Sequence, residues 1–216
     1  MVRFFVGLDL GQASDYSALA VLEYIEGMYH VRNLKRVRGV AYPDIVDKVT
    51  KLMASSVLEG DVLLVVDQTG VGAPVVDLLR QAGLKPIAVS IHGGDRTTQD
   101  GNNWRVPKRN LAGILQVLLQ TGRLKVASKL KLGPVLQTEM LNFRVKIDPV
   151  TAHDSYSAWR ESDHDDLVLS VALAAWLGER CATLPEIDYS MIAVEDAFGG
   201  ELESNENRLP WRDYIT

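Results

Sequence analysis

The segment Asp61–Asp67, DVLLVVD, constrains the fold more than any other part of the chain. It is entered from Gly60, is almost continuously apolar, and is broken after Asp67 by Gly70 and Gly72. A short run of this kind predicts a strand buried on both faces, which requires helices on each side of its sheet. The neighbouring segments agree. Phe4–Leu10 is an apolar strand ending in Gly-Gln, Ser17–Tyr24 is rich in small and apolar residues, and Tyr29–Val37 alternates. Gly27 sits in the short turn between the last two, so the opening reads as a hairpin meander. Pro43 opens a helix that runs to about Leu58, with Ile45, Val49, Leu52 and Met53 at helical spacing. Pro74–Gln81 is a second helix, closed by Gly83, and Pro86–Ile91 a further buried strand. The predicted class is α/β, with a central mixed β-sheet in βββαβαβ order flanked by helices.

Further along, Gly93–Asn103 is polar and Gly-rich, a loop or hairpin tip. Pro107–Leu119 predicts an amphipathic helix, Lys131–Leu141 another helix, and Asn142–Asp148 a strand. Asp165–Leu177 is apolar nearly all round, the pattern of a buried helix. From Thr183 the chain turns acidic and weakly periodic. The expected organisation is one domain over residues 1–180 and an acidic tail or docking segment over 181–216. With 47% hydrophobic residues in 216, the chain can bury a sizeable core. No apolar run approaches the roughly 18 residues of a membrane span. The N-terminus lacks a signal-peptide cleavage site, and the single Cys181 excludes a disulfide framework or a Cys-rich zinc site. The expectation is a soluble intracellular protein that is not secreted and has no membrane partner.

The net charge of −5 hides a division. Residues 85–160 carry 12 basic and 5 acidic side chains, whereas residues 161–178 hold 4 acidic and no Lys or Arg. A basic stretch beside an acidic knot suits a phosphate-backbone binder with carboxylate chemistry; an unevenly charged solvated surface gives the same counts. Three acidic sites fall where a carboxylate is disfavoured. Asp9 interrupts the apolar first strand, Asp67 ends the buried strand, and Asp165 and Asp166 open the buried helix behind Asp163 and His164. Asp also caps helices and ends strands, which would account for Asp165, Asp166 and Asp67 taken singly. Jointly they read differently. If the first and fourth strands are neighbours, Asp9 and Asp67 meet at one sheet end, and a helix beginning at Asp166 brings a third carboxylate to the same point. The Asp163-x-x-Asp166 spacing puts both on one helical face if the helix starts early enough. Hard oxygen ligands without Cys suit Mg²⁺ or Mn²⁺, and two such ions about 4 Å apart activate water and stabilise the leaving oxygen in phosphodiester hydrolysis.

Three segments in this order, GLDLGQASDYSALAVLE at 7–23, VVDQTGVGAPVVDLL at 65–79 and HDDLVLSVALAAW at 164–176, resemble the nuclease domain of the large terminase subunit of tailed bacteriophages. That family is RNase H-like and related to RuvC resolvases. The resemblance spans most of residues 3–178. It implies a metal-dependent endonuclease that cuts concatemeric viral double-stranded DNA with little sequence specificity, in the host-cell cytoplasm, using Mg²⁺ or Mn²⁺, two ions with DNA bound. By the same resemblance Asp9 bridges both metals, Asp67 holds the second, and Asp166 holds the first, near the attacking water. Asp165 is an alternative ligand, and Asp163 stands where RuvC-like relatives carry a His or Asp. Asp15 matches a recurring family acid and reads first as a turn residue. Large terminases also carry a packaging ATPase with a GxxxxGK[ST] loop. No such motif occurs here, and GVGAP at 70–74 lacks the lysine, so the chain is expected to be a nuclease domain without its motor. The partners implied are DNA, the terminase ATPase domain, the portal protein and the small terminase subunit.

For DNA, Lys108 and Arg109 start a helix after the Gly-rich loop, and Arg96 and Arg105 flank that loop as a flap. Lys125, Lys129, Lys131, Arg144 and Lys146 extend the track, Arg160 precedes the acidic knot, and His164 is placed to bind phosphate or move a proton. Each of these is also an ordinary surface residue. Trp104 is the lone candidate for base stacking, so binding is expected to depend on salt more than on sequence. Three other readings compete: a RuvC-like junction resolvase, an ATPase of the actin and sugar-kinase superfamily that would need a second phosphate loop, and a non-catalytic docking module.

Overall fold

The computed structural model describes residues 3–12, 15–58, 60–145 and 164–183. Eight strands form one mixed sheet: β1 (Arg3–Asp9), β2 (Tyr16–Ile25), β3 (Met28–Arg38), β4 (Asp61–Asp67), β5 (Ile87–His92), β6 (Thr98–Asp100), β7 (Asn103–Pro107) and β8 (Leu124–Val126). Their spatial order is β6-β7-β5-β4-β1-β2-β3-β8. β1, β2 and β3 are the expected antiparallel meander, and β1 runs parallel to β4. The first and fourth strands are therefore neighbours at the sheet's centre, and β5 and β7 continue the parallel half.

Alternation divides the core into two layers. On one face Phe4, Val6 and Leu8 pack with Ile45, Val46 and Val49 of α1 (Tyr42–Met53) and Val75, Val76 and Leu79 of α2 (Gly72–Gln81). On the other, Phe5, Ala18, Ala20, Leu22 and Val65 lie under α3 (Lys108–Gln120), α4 (Gly133–Val145) and α5 (Asp166–Thr183). α5 is the buried helix, with Leu167, Val168, Val171 and Leu173 wholly enclosed. Each such side chain contributes about 1.5–3 kcal/mol. Gly7 explains why α5 sits so close: a Cβ there would lie 1.9 Å from the Ser170 carbonyl oxygen. At the far end of the helix Gly178 makes the same room for the Tyr29 ring.

The structure departs from the expected elements in places. α1 ends at Met53 rather than near Leu58. Residues 142–145 are the last turn of α4, not a strand. The Gly-rich stretch does form a hairpin, one of its two expected readings, and its strands β6 and β7 join the main sheet. The three-residue β8 pairs Tyr29, His30 and Val31 and gave no readable signal. α5 also runs through Thr183, so the boundary drawn at residue 180 falls inside a helix. Among the described residues no helix is long and apolar enough to cross a membrane.

Candidate metal and nucleic-acid site

The carboxyl ends of parallel strands are where open α/β sheets place their ligand sites. β1 and β4 end there on Asp9 and Asp67, one step beyond the Leu8–Val66 pair. Both aspartates have the parity of the residues facing α5, since Phe5 and Val65 belong to that core layer. Across the sheet Asp9 pairs with Ala18, and Ala18 with Arg36. A row Asp67–Asp9–Ala18–Arg36 thus runs beneath the first turn of α5, with the smallest side chain between acid and guanidinium. Asp166 reaches into this row: its Oδ2 accepts a hydrogen bond from Arg36 Nη2 at 2.8 Å. Asp165 precedes it as the N-cap, its carbonyl accepting the Leu169 N–H, and its carboxylate takes Lys108 Nζ at 3.0 Å.

The β4–α2 turn is held as tightly. Asp67 Oδ1 accepts the Thr69 N–H at 2.7 Å, and Thr69 Oγ1 accepts the Ile91 N–H at 2.8 Å, tying the turn to β5. Gly72 is required because a Cβ would fall 2.0 Å from the Asp67 carbonyl oxygen. Asp9, Asp67, Asp165, Asp166, Lys108, His92 and His164 line one pocket of about 370 Å³, with Asp15 also on its wall. Asp15 donates its N–H to Gln12 within the turn, as the sequence suggested.

Among the described residues the pocket gathers Asp9, Asp67, Asp165 and Asp166 around Lys108. Burial, then repulsion from Asp67, Asp166 and Asp165, pushes the Asp9 carboxyl well above the usual range, and Lys108 only partly offsets this. Burial also raises Asp166 against the pull of Arg36. Lys108 is lowered by burial despite Asp165, Asp9 and Asp67 around it. The donors are hard oxygens, the set that Mg²⁺ or Mn²⁺ prefers, and surplus negative charge is what a divalent ion would relieve. Among the described residues no three His, Cys, Asp or Glu side chains stand ready-made as a metal-binding group. Arg36, on β3, pairs with Asp166, and Lys108, at the start of α3, pairs with Asp165.

The residues expected to meet DNA are dispersed. Lys108 is inside the pocket, not on its rim. Arg109 pairs with Asp95, and exposed Arg96 and Arg105 lie on the β6–β7 hairpin side. His164, half exposed, stands edge-on to Tyr16, 5.0 Å between centroids. Lys125 lies on β8 opposite His30, at the end of the sheet remote from Asp9. Trp104 is not a free stacking platform: it packs edge-on against Trp176 at 5.4 Å, with the Arg180 guanidinium 4.1 Å from its ring. Asp163, Arg160, Lys146 and the segment after Thr183 lie outside the described residues.

Sequence reading missed Arg36 and Glu139. Arg36 stacks on Tyr16 at 4.0 Å and lies 3.4 Å from Glu139, a buried residue of α4. Plain alternation hides Arg36, because Val21 pairs with Asn33 while Leu22 pairs with Val31. That bulge at Arg32 switches which parity of β3 faces α5. Glu139 was legible only as a lone acid in the apolar stretch VLQTEML.

No protein-family model matches the sequence, and no curated protein does. The central mixed sheet flanked by helices is nonetheless that of a known class: the chain has the RNase H-like fold of large terminase nuclease domains. The magnesium-bound large terminase nuclease from thermophilic phage G20c aligns over 81% of this chain and 80% of its own, at 23% identity and TM-score 0.55. Its cobalt-bound form gives 24% identity and the same TM-score. The human cytomegalovirus terminase nuclease domain, manganese-soaked and inhibitor-bound, aligns over 82% of both chains at 14% identity and TM-score 0.53.

Proposed function

We propose that this chain is a metal-dependent DNA endonuclease, the nuclease part of a viral DNA-packaging terminase. The observation that carries the reading is the pocket in which Asp9, Asp67 and Asp166 converge from two central strands and one helix of that fold, where burial and mutual repulsion hold the Asp9 carboxyl well above its usual range. Similar solved nucleases holding magnesium or soaked with manganese support it. Asp9, Asp67 and Asp166 are the proposed ligands of Mg²⁺ or Mn²⁺, and Asp165 is a reserve ligand now engaged by Lys108. Bound there, such ions lower the pKa of a water nucleophile and offset the charge developing on the phosphate. The protein's own part is to fix the carboxylates through the Thr69 turn and Arg36, and to keep Lys108 as a positive charge beside the scissile group. Arg96, Arg105 and Arg109, with His164 at the pocket mouth, offer the phosphate backbone sequence-independent contacts. The DNA substrate is double-stranded and concatemeric on this reading, and a packaging ATPase, portal and small subunit are its partners.

The test is plasmid cleavage in Mn²⁺, Mg²⁺, Ca²⁺ or chelator, comparing the native chain with Asp9→Asn, Asp67→Asn and Asp166→Asn. Removing several kcal/mol of metal-derived stabilisation, at 1.36 kcal/mol per tenfold, is expected to reduce cleavage by about a thousandfold or more in each. Undiminished cleavage in any two of the variants would overturn the reading. Selective cutting of four-way junctions over linear duplex would shift it to a resolvase.

A further inference from the structure

The bland account of an aspartate at a helix start is that it caps the helix. In α5 another residue has that task. With Asp165 as N-cap, Val168 is the third helical residue, whose N–H a capping side chain would normally take. That N–H instead donates to Glu139 Oε2 at 3.0 Å, from a side chain 29 residues away on α4. Glu139 is only 5% exposed. A carboxylate at this point also sits against the positive end of the helix dipole. Its second oxygen lies 3.4 Å from Arg36 Nη1. The Arg36 guanidinium is thereby held on three sides, by Glu139, by the Tyr16 ring at 4.0 Å and by Asp166 Oδ2 at 2.8 Å.

We propose that Glu139 and Arg36 are positioning residues for the metal site: Glu139 caps α5 in place of that helix's own aspartates and braces Arg36, which holds one oxygen of Asp166 and directs the other to the ion. The inference rests on the proposed nuclease reading. Carboxylate ligands need an outer partner to fix which oxygen they present, and losing such a partner weakens metal binding more than it alters the fold. Two features of the chain are otherwise unexplained. A buried acid crosses from α4 to cap α5 although an aspartate stands at the N-cap itself. An arginine faces the helical layer at the one place where a β-bulge has reversed the strand's parity.

The experiment is thermal melting of the full chain against increasing Mn²⁺ without DNA, for the native protein, Glu139→Gln, Arg36→Lys and Arg36→Met, followed by plasmid cleavage across the same Mn²⁺ series. Glu139→Gln keeps an acceptor for the Val168 N–H but loses the charge that braces Arg36. It is expected to raise the Mn²⁺ concentration giving half the melting shift by about tenfold. Arg36→Met should raise it further and Arg36→Lys recover part of the loss, with cleavage at saturating Mn²⁺ returning to within a few-fold of native for the lysine variant. A structural role alone would lower the melting temperature in chelator and leave the Mn²⁺ midpoint where it is; midpoints equal to the native value in both Glu139→Gln and Arg36→Met would overturn the proposal while leaving the nuclease reading intact. No Mn²⁺-induced shift and no cleavage by the native chain would remove both. Arg36→Lys, the mildest change, carries the test if Glu139→Gln does not fold.

Discussion

The two ends of α5 make opposite uses of charge. At its C-terminal end Glu179 receives Arg123 through both oxygens, at 3.0 and 2.7 Å, and the Tyr29 hydroxyl at 2.9 Å. Arg123 spends its remaining nitrogen on the Gly27 carbonyl at 2.7 Å. The Glu179 hydrogen bonds hold Arg123 above its ordinary pKa, and burial followed by Glu179 raises Tyr29, so Arg123 stays charged and Tyr29 keeps its proton. This end is a closed network that pins α5 to the β2–β3 turn and to β8. At the N-terminal end Asp9, Asp67, Asp165 and Asp166 face Arg36 and Lys108. One cluster is matched and the other is overloaded. Pairing of this completeness marks a clamp, whereas a surplus of one sign at strand ends marks a place for a ligand.

Gly7→Ala would break the distinction by disturbing both ends together. A methyl group 1.9 Å from the Ser170 carbonyl forces α5 off β1. Overpacking of this kind costs about 1–3 kcal/mol and, with backbone as the obstacle, should reach about 3. At about 2–4 °C per kcal/mol for a chain of this size, melting should fall by about 6–12 °C, and the Mn²⁺ response should weaken with it. Native-like melting in this variant would mean that α5 is not seated as closely as its contacts indicate.

The next comparison separates the ends. Glu179→Gln leaves Arg123 without its carboxylate and is expected to cost about 1.5–3 kcal/mol, the range for hydrogen bonds to a charged group, with an unchanged Mn²⁺ midpoint. Asp9→Asn should act in the reverse sense, holding or raising the melting temperature in chelator while abolishing the metal response. If Asp9→Asn is the more destabilised of the two, the N-terminal acids are structural and the contrast collapses.

How far this was visible beforehand follows from what each residue depends on. Asp9, Asp67 and Asp166 were legible because each interrupts or ends an apolar run, and a carboxylate there needs a reason that local physics does not supply. Their convergence needed only the β1–β4 adjacency that a meander followed by a buried strand favours. Arg36 was not legible, because its direction is set by a bulge at Arg32 that no alternation rule anticipates. Glu139 fell inside the expected helix but was not legible, because its partner, the Val168 N–H, is supplied by α5, 29 residues further on. Lys108 was read outward, toward phosphate, since a basic residue at a helix start gives no sign that an acid 57 residues later will meet it. Trp104 looked exposed for want of its partner Trp176. Local chemistry could be read along the chain, while second partners supplied by distant elements could not.

The smallest expected effect is also the most specific to the overloaded end. Burial and its neighbours raise the Asp9 carboxyl well above the ordinary 3.8, so the folded chain keeps that proton when the unfolded chain has released it. Between the two values the native state binds more protons, and stability from this group falls as pH rises, by at most 1.36 kcal/mol per unit. Asp9→Asn has no such proton to lose. Native and variant in chelator should therefore melt alike near pH 4, and the native chain should fall behind by up to about 3–5 °C per unit as pH climbs toward the raised value. Mn²⁺ needs the carboxylates ionised, so its stabilisation of the native chain should grow over the same window. A native-minus-variant difference that is flat with pH would show that Asp9 is already balanced in the folded protein, and the surplus charge on which the comparison turns would not exist.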